Sequence, residues 1–358
     1  MRPRVKQFFE LLLTAIVYWS LAFTFFIFIR YYALDTEAGI VVDATMDVPF
    51  TQWMGFGVLL GVLIGFFYGL IEFLFDKFLL KRLNLGLSIL LRTQIYLILL
   101  IVSMSLMSFV VEEEMDLDLP NERGWWRTSK VFWITVVYFV VSSLVFSFLK
   151  IAKERFGRES FLKLLIGKYR KPAEEERVFM FLDLKSSTTI AEKLGHLAYS
   201  KFIQECFLDL NLVLDAHSAE VYQYVGDEAV LSWSFKNAVK RNNCVALFFA
   251  FQKRLRKRAL HYERTYGHVP EFKAGLHGGR LIVVEVGSVK KELAYHGDVI
   301  NTSSRIQDQC NVLGEKLLIS KDLLENLELS STYTERHIGN LALKGKASSL
   351  DIYALKKA

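Results

Sequence analysis

Cysteine and proline are scarce in this chain. Its 358 residues include 3 cysteines, Cys206, Cys244 and Cys310, and no CxxC pair, which excludes a disulfide scaffold and a thiolate zinc site. With 5 prolines, 23% charged and 52% hydrophobic residues, it is neither a collagen-like repeat nor an intrinsically disordered chain. A mean hydropathy of +0.27 also excludes a simple soluble enzyme. Charge is missing altogether from four runs, 11–29, 48–71, 93–111 and 131–149. A helix crosses the roughly 30 Å bilayer core with about 20 apolar residues, so all four runs are expected to be transmembrane helices. The first lacks the small-residue cleavage site of a signal peptide.

Basic residues set the expected orientation. Arg2, Arg4 and Lys6 precede the first run, and Lys77, Lys81 and Arg82 lie between the second and third. Lys150, Lys153, Arg155, Arg158, Lys163, Lys168, Arg170 and Lys171 follow the fourth. The two alternate loops are acidic: residues 31–52 hold four acids and no Lys or Arg, and 112–130 hold six acids against three basic residues. Both termini are therefore expected in the cytoplasm, the chain spanning the cell (inner) membrane several times and contacting the lipid bilayer. The formal charge of +6 and pI near 9.0 follow from this placement and imply no nucleic-acid partner. Glu72, Asp76 and Arg92 are expected to snorkel to the cytoplasmic edge, and Trp125–Trp126 to anchor at an interface.

Three segments are expected: a four-helix transmembrane domain (1–149), a juxtamembrane helix (150–177) and a soluble domain (178–358). In the second, Phe161, Leu164, Leu165 and Tyr169 form a helical stripe suited to a parallel contact between two subunits. Pro172 ends it, and Glu174–Glu175–Glu176 read as a solvated turn. The soluble domain reads as β-α-ββ-α-ββ-α-β, an α+β ferredoxin-like sheet with helices on one face. Residues 220–225 and 229–233 flank Gly226–Asp227 as a hairpin. A second hairpin is expected over 272–278 and 281–286, with His277 at its turn and His296 near the next helix.

Asp183 ends the first strand and Asp227 sits at the first hairpin's turn, so two carboxylates can converge as a hard-oxygen site for Mg²⁺. Residues 185–188 lead into a helix whose free N–H groups can hold phosphates. Asn301 and Arg305, four apart, share a helix face, and Lys344 follows on a glycine-permissive turn.

These residues fall into five ordered motifs: Phe181-Leu-Asp183-Leu-Lys-Ser-Ser-Thr188, Tyr224-Val-Gly-Asp227-Glu-Ala, Ala274-Gly-Leu-His-Gly-Gly279, Gly297-Asp-Val-Ile-Asn301-Thr-Ser-Ser-Arg305 and Leu343-Lys-Gly-Lys346. Together they resemble the motif set of class III nucleotidyl cyclases, the adenylate and guanylate cyclase family, in a membrane-bound type with four transmembrane helices. The resemblance implies a homodimer with active sites at the subunit interface and two divalent ions, Mg²⁺ or Mn²⁺, per site. Asp183, the carbonyl of Leu184 and Asp227 would hold the metal, and Lys185, Ser186, Ser187 and Thr188 the phosphates. Asn301, Arg305 and Lys344 would act from the partner subunit. The base-reading positions fall on Gln223 and Ala294, which differ from both the adenine and the guanine sets of the family. The implied activity is conversion of ATP to 3′,5′-cyclic AMP and pyrophosphate. The alternatives are a cyclase of GTP or a pyrimidine triphosphate, and a degenerate nucleotide-binding receptor; the outer loops leave room for an unidentified ligand. The loop after Asp183 departs from the family's x-Gly-Phe-Thr, reading Lys185-Ser186-Ser187-Thr188.

Overall fold

The computed structural model describes residues 3–33, 49–75, 85–115, 127, 130–156, 163, 166–288, 292–341 and 349–357. The chain divides into two compact units, Met1–Lys153 and Glu154–Ala358.

Among the described residues the first unit contains four helices: α1 (Pro3–Ala33), α2 (Phe50–Leu74), α3 (Leu85–Met115) and α4 (Lys130–Phe156). Three are long and apolar enough to cross a membrane over Phe8–Arg30, Phe50–Leu74 and Phe132–Ala152. Four spans were expected. In α3 the apolar described stretch is Gln94–Leu106, short of a full crossing, because the run 93–111 extends beyond the side chains the structure describes. Gly57, Gly61, Gly65 and Gly69 recur every fourth residue on α2 and let α1 approach closely: a Cβ on Gly61 would lie 2.3 Å from Ser20 Cα. An aromatic core of Trp19, Phe23, Tyr68, Tyr96, Phe139 and Phe146 fills the interior. Glu72 corrects the snorkelling expectation. It is 3% exposed and takes Tyr96 Oη at 2.6 Å, Lys150 Nζ at 2.8 Å and Arg92 Nη1 at 3.2 Å, tying α2 to α3 and α4. A buried carboxylate needs such partners, since its desolvation is not otherwise offset. Asp76, Trp125 and Trp126 lie outside the described residues.

In the second unit one eight-stranded sheet runs in the order β2-β3-β1-β4-β6-β8-β7, with β5 paired to β4. The strands are β1 (Ala173–Leu184), β2 (Glu220–Val225), β3 (Glu228–Ser234), β4 (Phe272–Val286), β5 (Glu292–His296), β6 (Leu317–Ser320), β7 (Tyr333–Leu341) and β8 (Leu350–Lys357). The first four form the antiparallel ferredoxin-like core, and the one parallel pair among the described strands is β4 with β6. Side chains of β1 alternate between two cores. Val178, Met180, Leu182 and Leu184 face α5 (Ser187–Leu214) and α7 (Asn243–Lys257), which follows the short α6 (Phe235–Val239). Phe179 and Phe181 face the other way, toward Val299 of α9 (Asp298–Leu313), which follows α8 (Ala259–Tyr266). Helices thus cover both faces rather than one.

Three local expectations change. Residues 272–286 form one strand and no hairpin, because β1 pairs with β4 from Phe272 to Val283. Gly278 serves a close approach there, its Cβ position lying 2.8 Å from Val178 Cγ2. His277 is accordingly buried in the strand, its Nδ1 2.7 Å from Ser320 Oγ. Residues Glu174–Glu176 belong to β1, and Glu175 is held by Lys163, Lys168, Tyr169 and Arg177. Gly167, at φ 71°, turns the chain into a short 3-10 helix, so Tyr169 enters the domain's own core rather than a helical stripe. Phe161, Leu164 and Leu165 lie outside the described residues.

Candidate active site

Cross-strand register assembles the acidic site. Asp183 pairs with Glu228 on β3 and with Lys273 on β4. Asp227 immediately precedes Glu228 in a two-residue turn opened by Gly226 at φ 59°, the arrangement of a tight hairpin. The Cα atoms of Asp183 and Asp227 are therefore within about 9 Å, one cross-strand step plus one chain step. Asp183 Oδ2 accepts from Lys273 Nζ at 2.9 Å and from Gln307 Nε2 at 3.1 Å. Burial and the charge of Asp227 nonetheless push the Asp183 carboxyl above its usual range. Glu228 is pushed up to about 7 by burial and the charges of Asp183, Asp227 and Asp308. Tyr199 of α5 rises to about 12 through burial and the same Asp227 charge.

The site thus carries more carboxylate than its cations neutralise, and Asp227 has no hydrogen bond or ion pair among the described residues. That surplus fits divalent cations. Among the described residues no three His, Cys, Asp or Glu side chains form a closed metal cage. Two carboxylates and the Leu184 carbonyl suit Mg²⁺, which keeps waters and takes further oxygens from a substrate phosphate.

The segment expected to bind phosphate, residues 185–188, leads from β1 into α5. Ser186 adopts φ 59°, ψ 32°, the left-handed conformation that explains why glycine usually stands there. Ser187 begins α5, and its first turn has no side-chain cap, so Ser187 and Thr188 present free amides. Lys185 points elsewhere, pairing with Glu271 at 3.7 Å; its side chain does not join Asp183.

Asn301 and Arg305 do not meet Asp183 in the same chain. On α9, Ser303 and Gln307 are buried toward the sheet, and Gln307 reaches Asp183. At about 100° per residue, Asn301 and Arg305 fall on the opposite side of the helix; Asn301 is exposed and Arg305 half-buried. Lys344 lies outside the described residues. Gln223 is exposed on β2 and Ala294 half-buried on β5. Their neighbours Tyr222 and Tyr295 touch, with ring centroids 5.0 Å apart, so the two positions flank one aromatic contact. Lys273, Gln307 and Glu228 were missed by sequence reasoning. Treating 272–286 as a single strand would have put Lys273 on the face of Asp183.

The model of the adenylate and guanylate cyclase catalytic domain matches residues 170–357. Adenylate cyclase 2 of Rhizobium meliloti (strain 1021) is 34% identical over 220 residues, 62% of this chain and 61% of that protein. Adenylate cyclase 1 of the same strain is 28% identical over 183 residues, 50% of this chain and 27% of that protein. The chain therefore spans under two thirds of the length of either relative. A bacterial light-regulated adenylyl cyclase structure superposes with a TM-score of 0.53 at 16% identity, covering 64% of this chain and 66% of that one, and so shares the fold. Since the matched segment takes up more than half of its residues, the chain belongs to the family of adenylate and guanylate cyclase catalytic domains.

Proposed function

We propose that this chain is a membrane-anchored adenylate cyclase that converts ATP to 3′,5′-cyclic AMP and pyrophosphate at a site completed by a second copy. The observation that carries the reading is the division of the motif residues between two surfaces. Asp183 and Asp227 gather at the end of β1, while Asn301 and Arg305 face away on α9. One copy cannot bring the two sets together; two copies, each lending its α9 to the other's acidic site, can.

Divalent ions held by Asp183, Asp227 and the Leu184 carbonyl would supply the charge that activates a ribose 3′-hydroxyl and steadies a triphosphate. The chain's own groups do the rest. Amides of Ser187 and Thr188, at the positive end of α5, donate to phosphate oxygens beside the metal site. The Lys273 ammonium, 2.9 Å from Asp183 Oδ2, offsets part of that carboxylate's charge. From the partner, Arg305 offers a planar fork to charge developing on phosphorus, and Asn301 an amide to the ribose. Lys344 is assigned to the triphosphate by resemblance alone.

Gln223 can donate or accept, and Ala294 offers no side-chain hydrogen bond. Base choice is therefore the open variable in this reading, with ATP favoured. The apolar helices and their basic flanks support reading the chain as a multi-pass protein of the cell (inner) membrane with its catalytic unit in the cytoplasm. The deciding experiment gives the purified full chain equal ATP, GTP, CTP and UTP with Mn²⁺ or Mg²⁺. Cyclic AMP as the main product, lost in Asp227→Ala, supports the proposal. A different cyclic product rejects the substrate, and nucleotide binding without turnover rejects the enzyme.

A further inference from the structure

Arg177 lies on the face of β1 that carries Asp183, yet six residues away, near the middle of the strand. It is 1% exposed. Its Nη2 donates to Glu220 of β2 at 3.0 Å and to Ser232 of β3 at 3.1 Å, and its Nη1 to Glu175 at 3.3 Å. The guanidinium carbon stands 5.4 Å from the ring centroid of Tyr295 on β5. Glu220 is three residues before Gln223, and Tyr295 directly follows Ala294. One guanidinium therefore grips both strands that carry the base-reading pair.

β3, β1 and β4 intervene between β2 and β5, so no ladder hydrogen bond joins the two strands directly. The span is bridged by side chains instead. Phe179 meets Tyr222 at 6.0 Å and Tyr295 at 5.6 Å, the two tyrosines meet each other at 5.0 Å, and Arg177 lies against Tyr295. On its other side Arg177 is braced by Glu175, which also accepts from Lys163 at 3.1 Å, Lys168 at 2.7 Å and Tyr169 at 2.9 Å. A planar fork in contact with four partners is a task for arginine that a lysine ammonium cannot perform. Hydrophobic residues could fill the same volume at least as stably, so a buried charge here points to a demand for fixed geometry.

We propose that Arg177 is a positioning residue for nucleotide recognition, holding β2 and β5 at the separation Gln223 and Ala294 need to read one base together. It acts on affinity and base choice and leaves the chemical step alone. The inference rests on the cyclase reading above.

The test uses the full chain in detergent or nanodiscs. Arg177→Lys keeps the charge against Glu175 and Glu220 but loses the fork. It should raise KM for the preferred triphosphate about tenfold and cut the preference over the next-best triphosphate severalfold, with kcat within about twofold. Glu220→Gln, which keeps the shape of its side chain, should move both quantities in the same direction by less, and it decides the matter if Arg177→Lys does not fold. A fall in kcat with KM and preference unchanged overturns the inference, as does the absence of any effect in both variants. Equilibrium binding of a non-hydrolysable triphosphate analogue separates the two levels. If the wild type turns over no triphosphate, the cyclase reading fails, while weaker analogue binding by the variants still upholds the role of Arg177 and unchanged binding overturns it.

Discussion

Gly275→Ala tests how the catalytic unit is built. Gly275 sits on β4 beneath α9, and a Cβ there would lie 2.3 Å from Gln307 N, 2.7 Å from Gln307 Cα and 2.7 Å from Ser303 O. All three are backbone atoms, so no rotamer change relieves the clash. Restoring ordinary contact requires α9 to withdraw by roughly 1 Å, since carbon atoms pack best at about 3.5–4.0 Å. Overpacking of this kind costs about 1–3 kcal/mol, and a backbone clash belongs at the upper end. For a unit of this size, about 3 kcal/mol lowers the melting temperature by about 6–12 °C. The same withdrawal carries the Gln307 amide out of its 3.1 Å bond with Asp183, so turnover should fall severalfold as well. Calorimetry of the solubilised chain reads the first effect, and hydrogen exchange over β4 and α9 localises it. Gly55→Ala, where nothing lies within 4 Å of the Cβ position, is the control and should not lower the transition. A Gly275→Ala protein that melts within about 1 °C of wild type would refute the close packing from which Gln307 reaches Asp183.

Three further expectations follow from the site. Asp227→Asn should lower turnover at least about 100-fold while leaving metal-free stability unchanged or higher; two charges about 9 Å apart, the estimated Cα spacing, repel by about 2 kcal/mol at an effective dielectric near 20, and solvent screening of the half-buried Asp227 reduces this to about 1. Thermal melts with and without Mn²⁺ check this, and a large loss of metal-free stability counts against it. Ser186→Gly should be tolerated with an equal or lower triphosphate KM, whereas Ser186→Val, a β-branched residue at φ 59°, should raise KM and cost about 1–2 kcal/mol. Glu175 should contribute to acid sensitivity: burial would raise its carboxyl, but hydrogen bonds from Lys168, Tyr169 and Lys163 outweigh this and hold it near about 2. Its stabilisation is complete above the unfolded value near 4.5 and is lost as pH falls from there toward 2, so Glu175→Gln should lose about 1 kcal/mol less than wild type between pH 7 and 4 in denaturant titrations.

What the sequence determined by itself was local or ordered along the chain. Charge-free runs announce membrane helices because a bilayer leaves few alternatives, and apolar strand ends with a Gly–Asp turn announce Asp183 and Asp227 because turn chemistry is short-ranged. Gly278–Gly279 misled for the same reason: glycine permits a turn, but here it makes room for Val178, a neighbour on another strand. Only the tertiary structure decided what crosses strands and helices. It paired Lys273 and Glu228 with Asp183, brought Gln307 onto that carboxylate from α9, and turned Asn301 and Arg305 away from it. It also buried Glu72 and Arg177, whose partners, Glu175 apart, lie 20 to 118 residues distant in the chain. Such contacts depend on register and helix phase, which a one-residue shift would reverse, and so they become visible only when the elements are packed together.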